Sequence, residues 1–119
     1  WNEIDHSRPQ GLHETEYISK CLSKIRYFAR TYQVHVWLIA HPTKLLKRQD
    51  GSYPIPTPYD VSGSAHFRNK ADNCLTVWRD LDTASNETKI FIQKVRFHEV
   101  GKIGDVTLNY NPITQSYSC

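Results

Sequence analysis

Residues 34–40, VHVWLIA, are apolar at every position except His35. The run is too short and too rich in β-branched residues for a helix, and it has no polar alternation that would leave one face for solvent. A strand apolar on both faces needs cover on both, which places it inside an α/β sheet. The run then delivers His41, Pro42 and, two residues on, Lys44. In open α/β sheets ligands gather at the carboxyl ends of the strands, so His41 stands where a bound group would meet it. The alternative is a histidine that only ends a strand and bonds to nearby backbone.

The rest of the chain is ordered around that run. The opening, WNEIDHSRPQGLHETE, has Pro9, Gly11 and mixed charge without a period, and reads as a loop. From 15 to 32, Ile18, Cys21, Leu22, Ile25, Phe28, Ala29 and Tyr32 recur at threes and fours, with Lys20, Lys24 and Arg30 on the other side. That spacing predicts an amphipathic helix of about five turns. Residues 42–62 hold four of the six prolines and a polar cluster, a long loop of the kind that serves as a lid or binding element. A short helix is expected over 62–71, with Ser62 or Ser64 as its N-cap. Strands are expected over 74–80, 89–97 and 105–111, with turns at 82–87 and 99–104 and a last short strand after Pro112.

At 119 residues the chain is one domain or part of one, long enough for a core. Fifteen Lys and Arg against twelve Asp and Glu give +3, which permits a nucleotide or nucleic-acid partner without requiring one. No apolar run approaches the ~20 residues of a membrane span and no signal sequence opens the chain, so a soluble, intracellular chain is expected. Cys21, Cys74 and Cys119 lack metal-binding or disulfide-framework spacing, and six histidines include no HExxH. No GxxxxGK[ST] motif occurs.

Three groups of polar residues invite a chemical reading. Lys94 and Arg96 are two apart near the end of a predicted strand, so both cations share a face. Such a pair suits an anion, for example a phosphoryl group gaining charge; an exposed polar face is the alternative. The stretch SGSAHFRNK places small residues at a helix start, where free N–H groups hold phosphates, although an N-capped surface helix would look the same. Arg68 and Lys70 follow, and Lys44, Lys47 and Arg48 sit in the long loop; solvated charges are the simpler account of each.

In combination these stretches resemble the RecA-like motor domain of DnaB-type replicative helicases, especially the primase-helicases of phages and prophages. The resemblance rests on the apolar strand ending in His41, the long loop into YDVSGSAHFRNKADNCLTVWRD, then FIQKVRF and VTLNYNPITQSY, in that order; WNEID is similar to the residues after the Walker B aspartate. It implies a fold that is part of a RecA-like P-loop NTPase core: a sheet with one long helix, one short helix and C-terminal antiparallel strands. It further implies that His41 faces the terminal phosphate, that Arg96 is an arginine finger with Lys94 as companion, and that Arg79 and Tyr110 flank the nucleotide base. Ser62, Gly63 and Ser64 would lie in the channel loop that holds single-stranded DNA, with Arg68 and Lys44 nearby. Asp60 and Val61 stand where many DnaB-type proteins carry Arg-Glu, so the backbone of 62–64 is the implied contact.

The Walker A lysine, catalytic glutamate and Walker B aspartate would precede Trp1. ATP and Mg²⁺ are therefore expected as cofactors of a longer protein, with none bound by this chain alone. That protein would be a homo-oligomer, a hexameric ring by analogy, in a bacterial or phage-encoded, cytoplasmic setting away from membranes. A recombinase-like RecA relative and a non-catalytic nucleic-acid-binding or oligomerisation module are the rival readings.

Overall fold

The computed structural model describes residues 1, 7–61, 65–80 and 85–119. Helix α1 spans Glu14–Thr31, with Glu14 and Glu16 in its first turn and Arg30 in its last, each charge complementing the helix dipole. Glu16 and Lys20 pair at 3.1 Å across one turn. The helix ends in a Schellman motif: Val34 N–H donates to the Ala29 carbonyl at 3.0 Å and Gln33 N–H to that of Arg30 at 3.4 Å. Gln33 occupies the left-handed position, φ 52°, usually taken by glycine.

The four strands expected at the C-terminal end are present as an antiparallel meander, β1 Asn73–Trp78, β2 Glu87–Val95, β3 Gly104–Asn111 and β4 Ser116–Ser118, in the order β1-β2-β3-β4. Between β1 and β2 the register shifts at Cys74/Leu75, leaving Gln93 as the extra residue. This bulge re-aims side chains. Gln93 Nε2 donates to the Pro56 carbonyl at 2.9 Å, and Thr76 Oγ1 bonds to Gln93 Oε1 at 2.9 Å. The end of the long loop is thereby fixed to the sheet. Asn111 Oδ1 accepts from Ile113 N–H at 2.9 Å and shapes the last hairpin.

Three expectations need correction. Residues 34–40 join no ladder and carry no regular secondary structure. Leu38 and Ala40 pack inward, whereas Trp37 and Ile39 are 74% and 77% exposed. The apolar pattern on both faces is real, but cover is confined to Leu38 and Ala40. The short helix, α2, spans His66–Lys70 after Ala65, so neither Ser62 nor Ser64 is its N-cap. Residues 62–64 themselves lie outside the described residues. Finally, although the length would allow a sizeable core, the buried apolar residues among those described are Ile18, Leu22 and Phe67, where α1 and α2 meet. Trp1 packs edge-to-face on Phe67 at 5.5 Å and its nitrogen donates to the Ile39 carbonyl.

Candidate functional site

The long loop is closed at its base. Pro42 forms an isolated antiparallel bridge with Val61, and both Thr43 N–H and Thr43 Oγ1 donate to the Asp60 carbonyl, at 2.6 and 3.0 Å. Asp60 is held in turn by a capping box: its Oδ2 accepts from Thr57 N–H at 2.7 Å and from Thr57 Oγ1 at 2.8 Å, around the 3₁₀ turn Pro58–Asp60. Each of these acceptors satisfies a donor that the turn would otherwise leave open. The departure from the Arg-Glu pattern thus has a local role, because Asp60 builds the neck. His41 and Lys44, both exposed, flank this neck on one strand of chain, and the other strand leads into 62–64. The expected contacts at Ser62, Gly63 and Ser64 fall outside the described residues.

Within the loop, Arg48 N–H donates to the Ser52 carbonyl at 2.8 Å, and Gly51 takes φ 83° in the turn. Asp50 accepts from Ser52 Oγ and N–H, which holds its carboxyl below the ordinary range. Lys47 lies 5.0 Å from the centre of the Tyr53 ring. The Asp-Gly pair at 50–51 was a turn signal that the sequence reading passed over.

Lys94 and Arg96 do converge, and their common target is the end of α2. Lys94 Nζ donates to the carbonyls of Arg68 at 2.5 Å and Ala71 at 2.8 Å. Arg96 donates from an Nη to Asn69 O at 2.9 Å, and its Nε lies 2.7 Å from Asp72 Oδ1. That Nε has no aligned hydrogen bond, so the Asp72 contact is one of charge. Burial, and then the neighbouring guanidinium, push the Lys94 pKa down. Burial likewise pushes up that of Cys74, its partner across the ladder. The cost of two adjacent cations therefore has a structural compensation that the sequence did not reveal: helix C-terminal carbonyls and one carboxylate attract both.

Arg79 and Tyr110 are also brought together, from the end of β1 and from β3. The Arg79 guanidinium lies 5.9 Å from the Tyr110 ring centre and its Nη 3.3 Å from Asn86 Oδ1. Tyr117, directly opposite Tyr110 in the β3–β4 ladder, adds a second ring at 5.0 Å; the sequence reading missed it. A cation facing an aromatic surface is suited to holding a planar base. Arg68 instead sits 5.0 Å over the Tyr59 ring, beside a largely apolar cavity of about 450 Å³ between the 3₁₀ turn and β2–β3. That cavity borders the Thr57 and Pro58 side of the neck.

Sequence comparison supports a DnaB-like helicase class without singling out the DnaB type. Over 121 residues the chain is 45% identical to the Twinkle homolog protein, chloroplastic/mitochondrial, of Arabidopsis thaliana, covering 99% of this chain and 17% of that protein. No family model matches. The relative's organelle name does not extend the bacterial or phage setting expected above. Among the described residues no helix is long and apolar enough to cross a membrane.

Proposed function

We propose that this chain forms part of the RecA-like core of a ring-forming DNA helicase, in which ATP hydrolysis between subunits moves single-stranded DNA. The similarity over 99% of the chain supports the helicase class. Beyond that, one geometric observation carries the reading: His41 is one residue from a neck that ties it to the segment 62–64. Loss of a phosphate at His41 would shift Pro42 and Thr43, and with them Asp60 and Val61, so a local change reaches the DNA loop through two adjoining contacts.

Among the described residues no group of three His, Cys, Asp or Glu could hold a metal. What the chain offers ATP is the Arg79–Tyr110 platform for its base and cations for its phosphates. Bound ATP–Mg²⁺ would supply the phosphoryl group. Arg96 would reach it from a neighbouring subunit, leaving Asp72 with Arg26, whose guanidinium is already 3.6 Å away. An arginine acting in trans requires a head-to-tail neighbour, and such contacts close into rings or continue as filaments; a hexamer is the proposed ring.

Arg96→Ala in the full-length protein should lower DNA-stimulated ATP hydrolysis by about 10³ to 10⁵, and Arg96→Lys should not restore it. Asp72→Asn separates this role from anchoring of α2, because it removes the ion pair but leaves the finger. Equal losses in the two variants, or native hydrolysis by Arg96→Ala, would refute the reading.

A further inference from the structure

On the exposed side of α1 lies a cleft of about 160 Å³ lined by Ser23, Arg26, Tyr27, Arg30 and Lys70. The first four are spaced i, i+3, i+4 and i+7, a single stripe over two turns, and Lys70 arrives from α2. Arg26 and Arg30 are like charges one turn apart, an arrangement that destabilises a helix. Arg30 is favourably placed in the last turn, but its side chain makes no hydrogen bond or ion pair among the described residues. Lys70 Nζ donates to Ser23 Oγ at 2.5 Å, a neutral partner. Among the described residues, Arg26 Nε is buried without a hydrogen bond and its guanidinium faces the Asp72 oxygen at 3.6 Å. Of the three cations, Arg26 alone faces a carboxylate among the described residues, and that carboxylate, Asp72, is already engaged by Arg96.

Tyr27, 73% exposed, stands among these cations. A solvated charged face would not need an uncovered aromatic ring between its arginines. An aromatic surface interleaved with guanidinium and ammonium groups fits a strand whose phosphates alternate with unpaired bases. We propose that this stripe is a second binding site for single-stranded DNA, with Arg26, Arg30 and Lys70 on phosphates and Tyr27 stacked on a base. It lies on the helix α1 face and shares only its ligand with the function proposed above.

Two substitutions in the full-length protein distinguish its parts. Arg30→Ala should reduce the slope of log affinity against log salt by about 0.7, one phosphate contact to a single strand, and Arg30→Lys should restore it. Tyr27→Ala should weaken binding about tenfold with the slope unchanged. Single-stranded DNA carrying 5-iodouracil should cross-link to the peptide containing Tyr27. The proposal is overturned if affinity and slope stay native in both variants, or if subunit assembly changes while DNA affinity does not, since the cleft would then belong to a protein interface. Because these measurements read binding without hydrolysis, a native Arg96→Ala would remove the motor reading and leave this site standing, whereas native Tyr27→Ala and Arg30→Ala would do the reverse.

Discussion

The C-terminal meander and the run 34–40 are both β-like sequences, yet only the meander forms a sheet. Each of its strands pairs with the next in sequence, across short connections, and its central strand β2 is at least partly shielded along most of its length. The run 34–40 is the more apolar of the two but has no ladder, and presents Trp37 and Ile39 to solvent. Antiparallel neighbours can be supplied by a hairpin, whereas a strand of a parallel sheet depends on distant segments. The difference teaches that apolar sequence forms a ladder here where its pairing partner comes next along the chain.

The largest test of that comparison is Ile39→Asp. Ile39 is 77% exposed, as is Leu46 in the long loop at 84%, so a reading from exposure alone predicts two small effects, about 0.5 kcal/mol each. If a further strand or helix covers the outer face of 34–40 in the full-length protein, Ile39→Asp buries an unpaired charge and should cost about 3 kcal/mol or more. Leu46→Asp should remain near zero. Thermal unfolding of the two variants decides, and equal small shifts would mean that the run is a surface strap.

The same contrast explains what was legible in the sequence. Strand residues and turn residues placed β1 to β3 to within two residues at each end, and announced β4 without its bounds, because their pairing is local. The helix was equally clear from Ile18, Leu22 and Ile25. The pattern over 34–40 correctly announced two apolar faces, but hydropathy cannot say which chain segment covers them. At the site, the proximity of Arg79 and Tyr110 followed only from resemblance, since residues on β1 and β3 have no sequence relation until β2 is threaded between them. The anchoring of Lys94 and Arg96 was illegible for a related reason: their partners are mainly backbone carbonyls at the end of α2, and carbonyls carry no residue code. The neck was missed because its key acceptor, the carbonyl of Asp60, is also backbone.

A medium effect tests whether the neck, which lies between the two regions, joins them functionally. Thr43→Val keeps the backbone N–H bond to Asp60 but deletes the hydroxyl bond, costing about 1 kcal/mol. In the full-length protein, ATP hydrolysis without DNA should be retained while stimulation by single-stranded DNA falls severalfold. Unchanged stimulation would show that the segment at His41 and the loop 62–64 respond independently, and would leave the meander and the run as separately built parts.

The smallest effect sharpens the comparison at the level of backbone alone. Two glutamines occupy left-handed positions, Gln33 at the cap of α1 leading into the run and Gln115 in the β3–β4 hairpin, both with φ 52°. Glycine relieves the Cβ clash there but gives back part of the gain through a freer unfolded chain. Gln115→Gly should therefore stabilise by about 0.5–1 kcal/mol, read as a small rise in Tm. Gln33→Gly has the same local geometry and should match it if its exposed side chain is idle. A loss at position 33 alone would mean that the amide is used by whatever covers the run, placing a partner at the point where the helix hands the chain to residues 34–40.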